Sequence, residues 1–216
     1  MTVPIPSMDP EYEGFYLLPP LFGMIPAPWR LATGRFWGRL HTIEYLIRLA
    51  NLWSVADNLY GQIEESGNYA PILLGDVAPE GGEKNRWDKC QDHKSHRSGV
   101  DLDIYLVRKD GLPAPTHISD PLNYDYGRSL ELAKAIFAAG QGVPLGVERV
   151  FFDEQRMLDD LGALGIGPIG KDPGRPATET TPKLPPTPHR DHFHVRLKRL
   201  VPAKVVTSAL LQSVRK

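Results

Sequence analysis

Five of the seven histidines fall in two short segments, His93 and His96 in one and His189, His192 and His194 in the other. His41 and His117 lie elsewhere. Neutral imidazole is the commonest protein ligand for metals, so clustering of this kind points first to a metal centre. Acidic residues stand beside the first cluster. In Gly99-Val-Asp-Leu-Asp-Ile-Tyr-Leu, strand alternation puts Val100, Leu102, Ile104 and Leu106 on one face and Asp101, Asp103 and Tyr105 on the other. In His192-Phe-His-Val-Arg-Leu, the apolar Phe193, Val195 and Leu197 oppose His192, His194 and Arg196. If the two strands are neighbours in one sheet, their polar fronts converge on a shared cleft, on a scaffold stiff enough for a metal that needs fixed angles. Polar residues on the wet face of a half-buried strand usually mean only solvent. That reading must here cover two acids and two imidazoles on two strands, with three more histidines beside them.

The elements that would carry these strands are mixed. Residues 1–34 are proline-rich and suggest an extended arm laid over the core. Ile43, Leu46, Ile47, Leu49, Ala50 and Trp53 recur at helical spacing. Residues 71–76 read as a short buried strand leading into a turn, 76–92 as a Gly-rich loop, and 99–107 as the clearest strand. A helix is expected over 129–139, a strand over 149–153, a helix over 154–164, a strand over 192–197 and a short helix over 203–214. Residues 165–188, dense in Pro, Gly and Thr, read as a long irregular loop. Strands and helices without regular βαβ alternation predict an α+β fold, a small antiparallel sheet flanked by helices and long loops, in a single domain over 1–216.

Composition removes several classes of function. The formal net charge is −1, so no global field draws the chain to nucleic acid or anionic lipid. Its longest apolar-leaning stretch, 43–60, is interrupted by Glu44, Arg48, Asn51 and Asp57, which excludes a transmembrane segment there. The single cysteine, Cys90, allows no intrachain disulfide and reads as an ordinary thiol. The first residues have neither a basic n-region nor an apolar h-region and do not read as a signal peptide. Two shorter patterns carry nothing. Gly165-Ile-Gly167-Pro-Ile-Gly170 fits G-x-G-x-x-G, but the Pro-rich run after it cannot open the helix a dinucleotide fold requires. Ser213-Val-Arg-Lys216 fits S-x-x-K without the companion motifs of penicillin-binding enzymes.

His93-Lys-Ser-His96-Arg-Ser-Gly-Val-Asp101-Leu-Asp103 resembles the H-x-S-H-x-x-G-x-D-x-D signature of the penicillin-insensitive murein endopeptidases. His189-Arg-Asp-His192-Phe-His194-Val-Arg-Leu is similar to that family's second signature, H-x-x-H-x-H-V-R-L. Arg35-Phe-Trp-Gly and Leu73-Leu-Gly-Asp-Val are supporting fragments, in the family's order. The wider group, with lysostaphin-type enzymes, D-alanyl-D-alanine carboxypeptidases and hedgehog domains, shares H-x6-D followed by H-x-H on a small antiparallel sheet. The resemblance implies that His96, Asp103 and His194 bind Zn²⁺ and that His192 is the catalytic acid or base. It implies that His93 and His189 line the cleft as substrate or outer contacts. It also implies that the chain cuts peptide cross-links of peptidoglycan, between D-alanine and diaminopimelate.

Two neutral imidazoles and one carboxylate leave a fourth position for water, as catalytic zinc sites do, although such a set also takes other divalent ions. Asp101, two residues from Asp103 on the same face, is a candidate to hydrogen-bond a ligand's second imidazole nitrogen; a plain turn-proximal acid is the other reading. Arg196 is read either as a partner for a substrate carboxylate or as an ion pair. Ser95 and Ser98 are expected to shape their loop rather than act as nucleophiles. Within enzymes the competing expectation is a D,D- or L,D-carboxypeptidase on stem peptides; outside them, a non-catalytic zinc-containing binding module. The expected place of action is the periplasm or cell wall. With no visible signal, three routes are open: a signal already removed, a phage lysin, or a secretion-system effector, which as a toxin would have an immunity protein as partner.

Overall fold

Alternation in the two motif strands decides where the core lies. The computed structural model describes residues 15–17, 21, 23–31, 36–63, 70–78, 96, 99–141, 146–171 and 189–198. In chain order the elements are β1 (Phe15–Leu17), β2 (Met24–Pro26), α1 (Pro28–Leu31), β3 (Trp37–Arg39), α2 (Leu40–Ile63), β4 (Ile72–Leu74), β5 (Asp101–Tyr105), α3 (Tyr126–Ala139), β6 (Val147–Phe151), α4 (Gln155–Ala163), β7 (Ile169–Gly170) and β8 (His192–Leu197). Leu102 and Ile104 of β5, with Phe193, Val195 and Leu197 of β8, are fully buried in one cluster with Leu46, Leu49 and Trp53 of α2 and Leu132 and Ile136 of α3. The apolar backs of the two strands therefore pack on helices. Two deeply buried donors of α2 are satisfied: the Tyr45 hydroxyl donates to the Ile136 carbonyl at 2.9 Å and the Trp53 indole N–H to the Ala70 carbonyl at 2.8 Å.

Six strands form the main sheet in the order β2-β4-β5-β8-β6-β7, and β1 and β3 form a separate two-stranded sheet. The middle of the large sheet is antiparallel, through β4–β5, β5–β8 and β6–β8. Its two outer pairs, β2–β4 and β6–β7, are parallel. The expectation of a small antiparallel sheet thus holds for the strands that carry the site and fails at both edges, where the sheet is mixed. The edges come from segments whose sequence hides strands. β2 lies in the stretch read as an extended arm, and β7 lies inside the stretch read as a loop without regular structure. Short strands of two or three residues leave no alternation to detect.

The helices run close to expectation. α3 begins three residues earlier than the apolar periodicity indicates, because Asp125 caps it by accepting from the Arg128 N–H at 2.9 Å. α4 turns Met157 and Leu161 into the core. The Gly-rich loop at 79–92, His93, Ser95, Ser98, Cys90, the loop residues 172–188 and the helix expected over 203–214 lie outside the described residues. No helix among the described residues is long and apolar enough to cross a membrane.

Two glycines fix how the site strands are approached. Gly99 has φ +68°, a left-handed conformation that a side chain strains, and it turns the chain from His96 into β5. Its carbonyl accepts from the Thr42 hydroxyl at 2.6 Å. Gly75 follows β4 and lies against Asp103: an added Cβ there would stand 2.9 Å from the Asp103 Cβ and 3.2 Å from its carbonyl oxygen. With no side chain in the way, Gly75 N–H donates to Asp103 O at 2.7 Å and Asp103 N–H to Asp76 O at 2.9 Å. Both main-chain groups of Asp103 are thus held by the Gly75–Asp76 segment.

Candidate metal centre

Antiparallel pairing of β5 with β8 sets Asp103 opposite His194, Asp101 opposite Arg196 and Tyr105 opposite His192. The two polar fronts therefore meet residue for residue. They are not wet. Asp101 is 0% exposed, Asp103 6%, His194 6% and His96 3%, which removes the solvent-face reading. Burying this many ionisable groups together is costly unless each has a partner.

His96, arriving from the turn before Gly99, offers its Nδ1 to the Val77 carbonyl at 3.0 Å and the Asp101 carbonyl at 3.2 Å. Carbonyls only accept, so Nδ1 carries the proton and the neutral ring has its lone pair on Nε2. That Nε2 stands 3.4 Å from Asp103 Oδ1. His194 behaves the same way with the nitrogens exchanged. Its Nε2 meets the Asp101 carboxylate at 3.1 Å, and its Nδ1 faces Asp103 Oδ1 at 3.0 Å. Asp101 is in turn held by the Arg196 guanidinium, whose Nε donates at 2.7 Å.

The result is a convergence of donor atoms: His96, Asp103 and His194 each bring one ligand atom within 4.8 Å of the others, with Asp103 Oδ1 3.4 Å from His96 Nε2 and 3.0 Å from His194 Nδ1. Ligands about 2.0–2.1 Å from a tetrahedral zinc stand about 3.3 Å apart, close to the separations seen here. The set therefore fits a divalent cation in its chemistry and in its spacing. The Asp101 carboxylate at His194 Nε2 is the kind of contact that orients an imidazole. Arg196 pairs with Asp101 through its Nε, as the ion-pair reading expects. A second grouping, His189, His192 and His194, also falls within 4.8 Å. It shares His194 but lacks the anionic oxygen that offsets a cation's charge in the first.

His192 and His189 close the side of this cluster. His192 Nε2 lies 3.6 Å from Asp103 Oδ1, and its Nδ1 meets the carboxylate of Asp191 at 2.7 Å. His189 is buried, stacked on Phe151 with ring centroids 6.1 Å apart and edge-on to His192 at 5.1 Å. Opposite them, Tyr105 is tilted against His192 at 5.8 Å and meets the half-exposed Trp29 of α1 edge-on at 5.7 Å. His93 lies outside the described residues.

Sequence reasoning passed over Asp191, although it sits inside the quoted motif. Alternation would send the residue before His192 to the opposite face. Asp191, however, lies in the bend before β8, where the two-residue period does not yet apply. Trp29 gave no signal at all, being one aromatic in a proline-rich segment.

Electrostatics agree with a cation site. Burial opposes charge on His96, but the Asp103 carboxylate outweighs it and the imidazole shifts up. His194 is pushed up to about 9: burial works against it, and hydrogen bonds and charge from Asp101 and Asp103 prevail. Burial would raise Asp103, yet the imidazoles of His96 and His192 bring it well below the usual carboxylate range. A proton on His194 thus competes with a cation for the same place. The consequence for stability has a definite sign. A folded pKa of about 9 against an ordinary 6.5 for His194 means stability fully present below pH 6.5 and lost as pH rises through about 9. Chelated protein should therefore melt at progressively lower temperature across that window, while the stabilisation conferred by added metal, which must displace the same proton, grows. Melting curves with and without metal check this; a metal-free melting temperature that stays level or climbs would contradict it. No protein-family model matches the chain, and no curated protein matches it.

Proposed function

We propose that the chain is a zinc-dependent peptidase that hydrolyses the peptide cross-links of peptidoglycan, between D-alanine and diaminopimelate. The observation that carries the hydrolase reading is the meeting of two imidazole lone pairs and one carboxylate oxygen, each oriented by a hydrogen bond or main-chain clamp, beside a further imidazole outside the set. A structural site is closed by four protein ligands and a catalytic one by three, and among the described residues this grouping has three, His96, Asp103 and His194. Zinc in such a position lowers the pKa of a water to ~7 and polarises a carbonyl. His96, Asp103 and His194 would hold it. His192, whose Nε2 faces the same centre, would take the proton from the attacking water and deliver it to the leaving amine. Asp101 and Arg196 keep His194 in the ligating tautomer. The choice of bond rests on the likeness of the two histidine motifs to the murein endopeptidases, an analogy about specificity.

The test is digestion of cross-linked muropeptide dimers followed by mass spectrometry. Monomers with an intact D-alanyl carboxyl terminus and a free diaminopimelate amine are expected. Chelators should stop the reaction and β-lactams should not, because no acylated serine takes part. Release of only a terminal D-alanine would assign a carboxypeptidase instead, and metal binding with no cleavage of either kind would assign a binding module.

A further inference from the structure

Among the described residues, the one carboxylate that touches His192 from outside the cluster is Asp191, and its place in the chain is fixed. Three successive carbonyls leading into β8 are each held by a different segment. Asp153 N–H donates to His189 O at 2.9 Å, Ile118 N–H to Arg190 O at 3.0 Å and Leu106 N–H to Asp191 O at 3.2 Å. Arg190 adds a side-chain bond from its Nε to Asp153 Oδ2 at 2.8 Å. The Asp191 carboxylate is thereby set 2.7 Å from His192 Nδ1. An ionised carboxylate only accepts, so that contact requires the proton on Nδ1 and leaves the lone pair on Nε2, the atom 3.6 Å from Asp103 Oδ1. Tyr105 and His189 flank the ring and restrict its plane. Flanking rings do not distinguish the two orientations related by a half-turn about χ2, whereas an acceptor at one nitrogen does.

We infer that Asp191 is a positioning residue that holds His192 in its Nδ1–H tautomer with Nε2 turned toward the metal centre. This rests on the proposed role of His192 in proton transfer. The interaction is only part-buried, with the Asp191 side chain 44% exposed, so a moderate effect is expected rather than loss of fold. Orienting partners of this kind contribute roughly tenfold to a hundredfold.

The experiment uses the full chain loaded with zinc and labelled with ¹⁵N at histidine, with His192 assigned by the resonances lost in His192→Ala. The wild type should show His192 as the Nδ1–H tautomer. Asp191→Ala should shift it toward a mixture containing the Nε2–H form, with zinc content unchanged and kcat for dimer cleavage lowered about tenfold at nearly constant KM. Asp191→Asn, whose carbonyl oxygen still accepts, should recover the tautomer and part of kcat. A wild type in the Nε2–H form, or an Asp191→Ala protein that stays wholly Nδ1–H, overturns the inference. The tautomer is read without substrate, so absence of muropeptide cleavage, which would sink the proposed function, leaves this reading separately decided.

Discussion

Asp103→Ala is expected to leave a folded protein with no bound metal and cross-link cleavage reduced roughly a thousandfold or more, since a metal ion supplies several kcal/mol of transition-state stabilisation. The contacts of Asp103 concentrate on one atom. Its Oδ1 stands within 3.0 Å of His194 Nδ1, 3.4 Å of His96 Nε2 and 3.6 Å of His192 Nε2. Removing it takes away the anionic oxygen that makes the cluster attractive to a cation and leaves two imidazoles that repel each other when both are protonated. The companion Asp103→Asn keeps the volume and the main-chain clamp with Gly75 and Asp76. It should also lose the metal while its amide hydrogen-bonds the imidazoles. Circular dichroism and metal analysis on both variants separate loss of the ion from loss of the fold. Full zinc occupancy in either would remove Asp103 from the ligand set.

His192→Ala is expected to do the reverse: zinc retained at about one per chain, and kcat lowered roughly a hundredfold or more, the contribution usual for a positioned acid–base group. The separation follows from geometry. His192 faces the centre from outside the grouping of His96, Asp103 and His194. Its Nδ1 is also engaged by Asp191, and its Nε2 lies 3.6 Å from Asp103 Oδ1. Near-normal turnover in the variant would move proton transfer to His189 or His93. Loss of zinc would mean that ligand and catalyst have been interchanged.

How much of this could be read before the fold was known differs from part to part, for physical reasons. The faces of β5 and β8 were legible because alternation over five or six residues separates Leu102, Ile104, Phe193 and Val195 from Asp101, Asp103, His192 and His194. Whether those strands are partners is not a local property. The pairing of Asp103 with His194 is set by ninety residues of intervening chain and by the helices beneath. Periodicity found α2, α3 and α4 but not their ends, which caps such as Asp125 decide. The edge strands β2 and β7 owe their existence to the neighbour each pairs with, β4 and β6, and so left no trace in their own residues. Asp101 was legible as a neighbour of the cluster because it shares a face with Asp103. Asp191 was not, because its contact depends on a bend.

If the two histidine segments build one catalytic metal centre, the ion itself should show it. Purified wild-type chain, loaded with zinc and freed of excess, should contain about one zinc per molecule. X-ray absorption should place only nitrogen and oxygen around it, at about 2.0–2.2 Å, with one position filled by exchangeable water. A chain that holds no zinc, or whose zinc shows a sulfur neighbour at about 2.3 Å and therefore sits on Cys90, would contradict it.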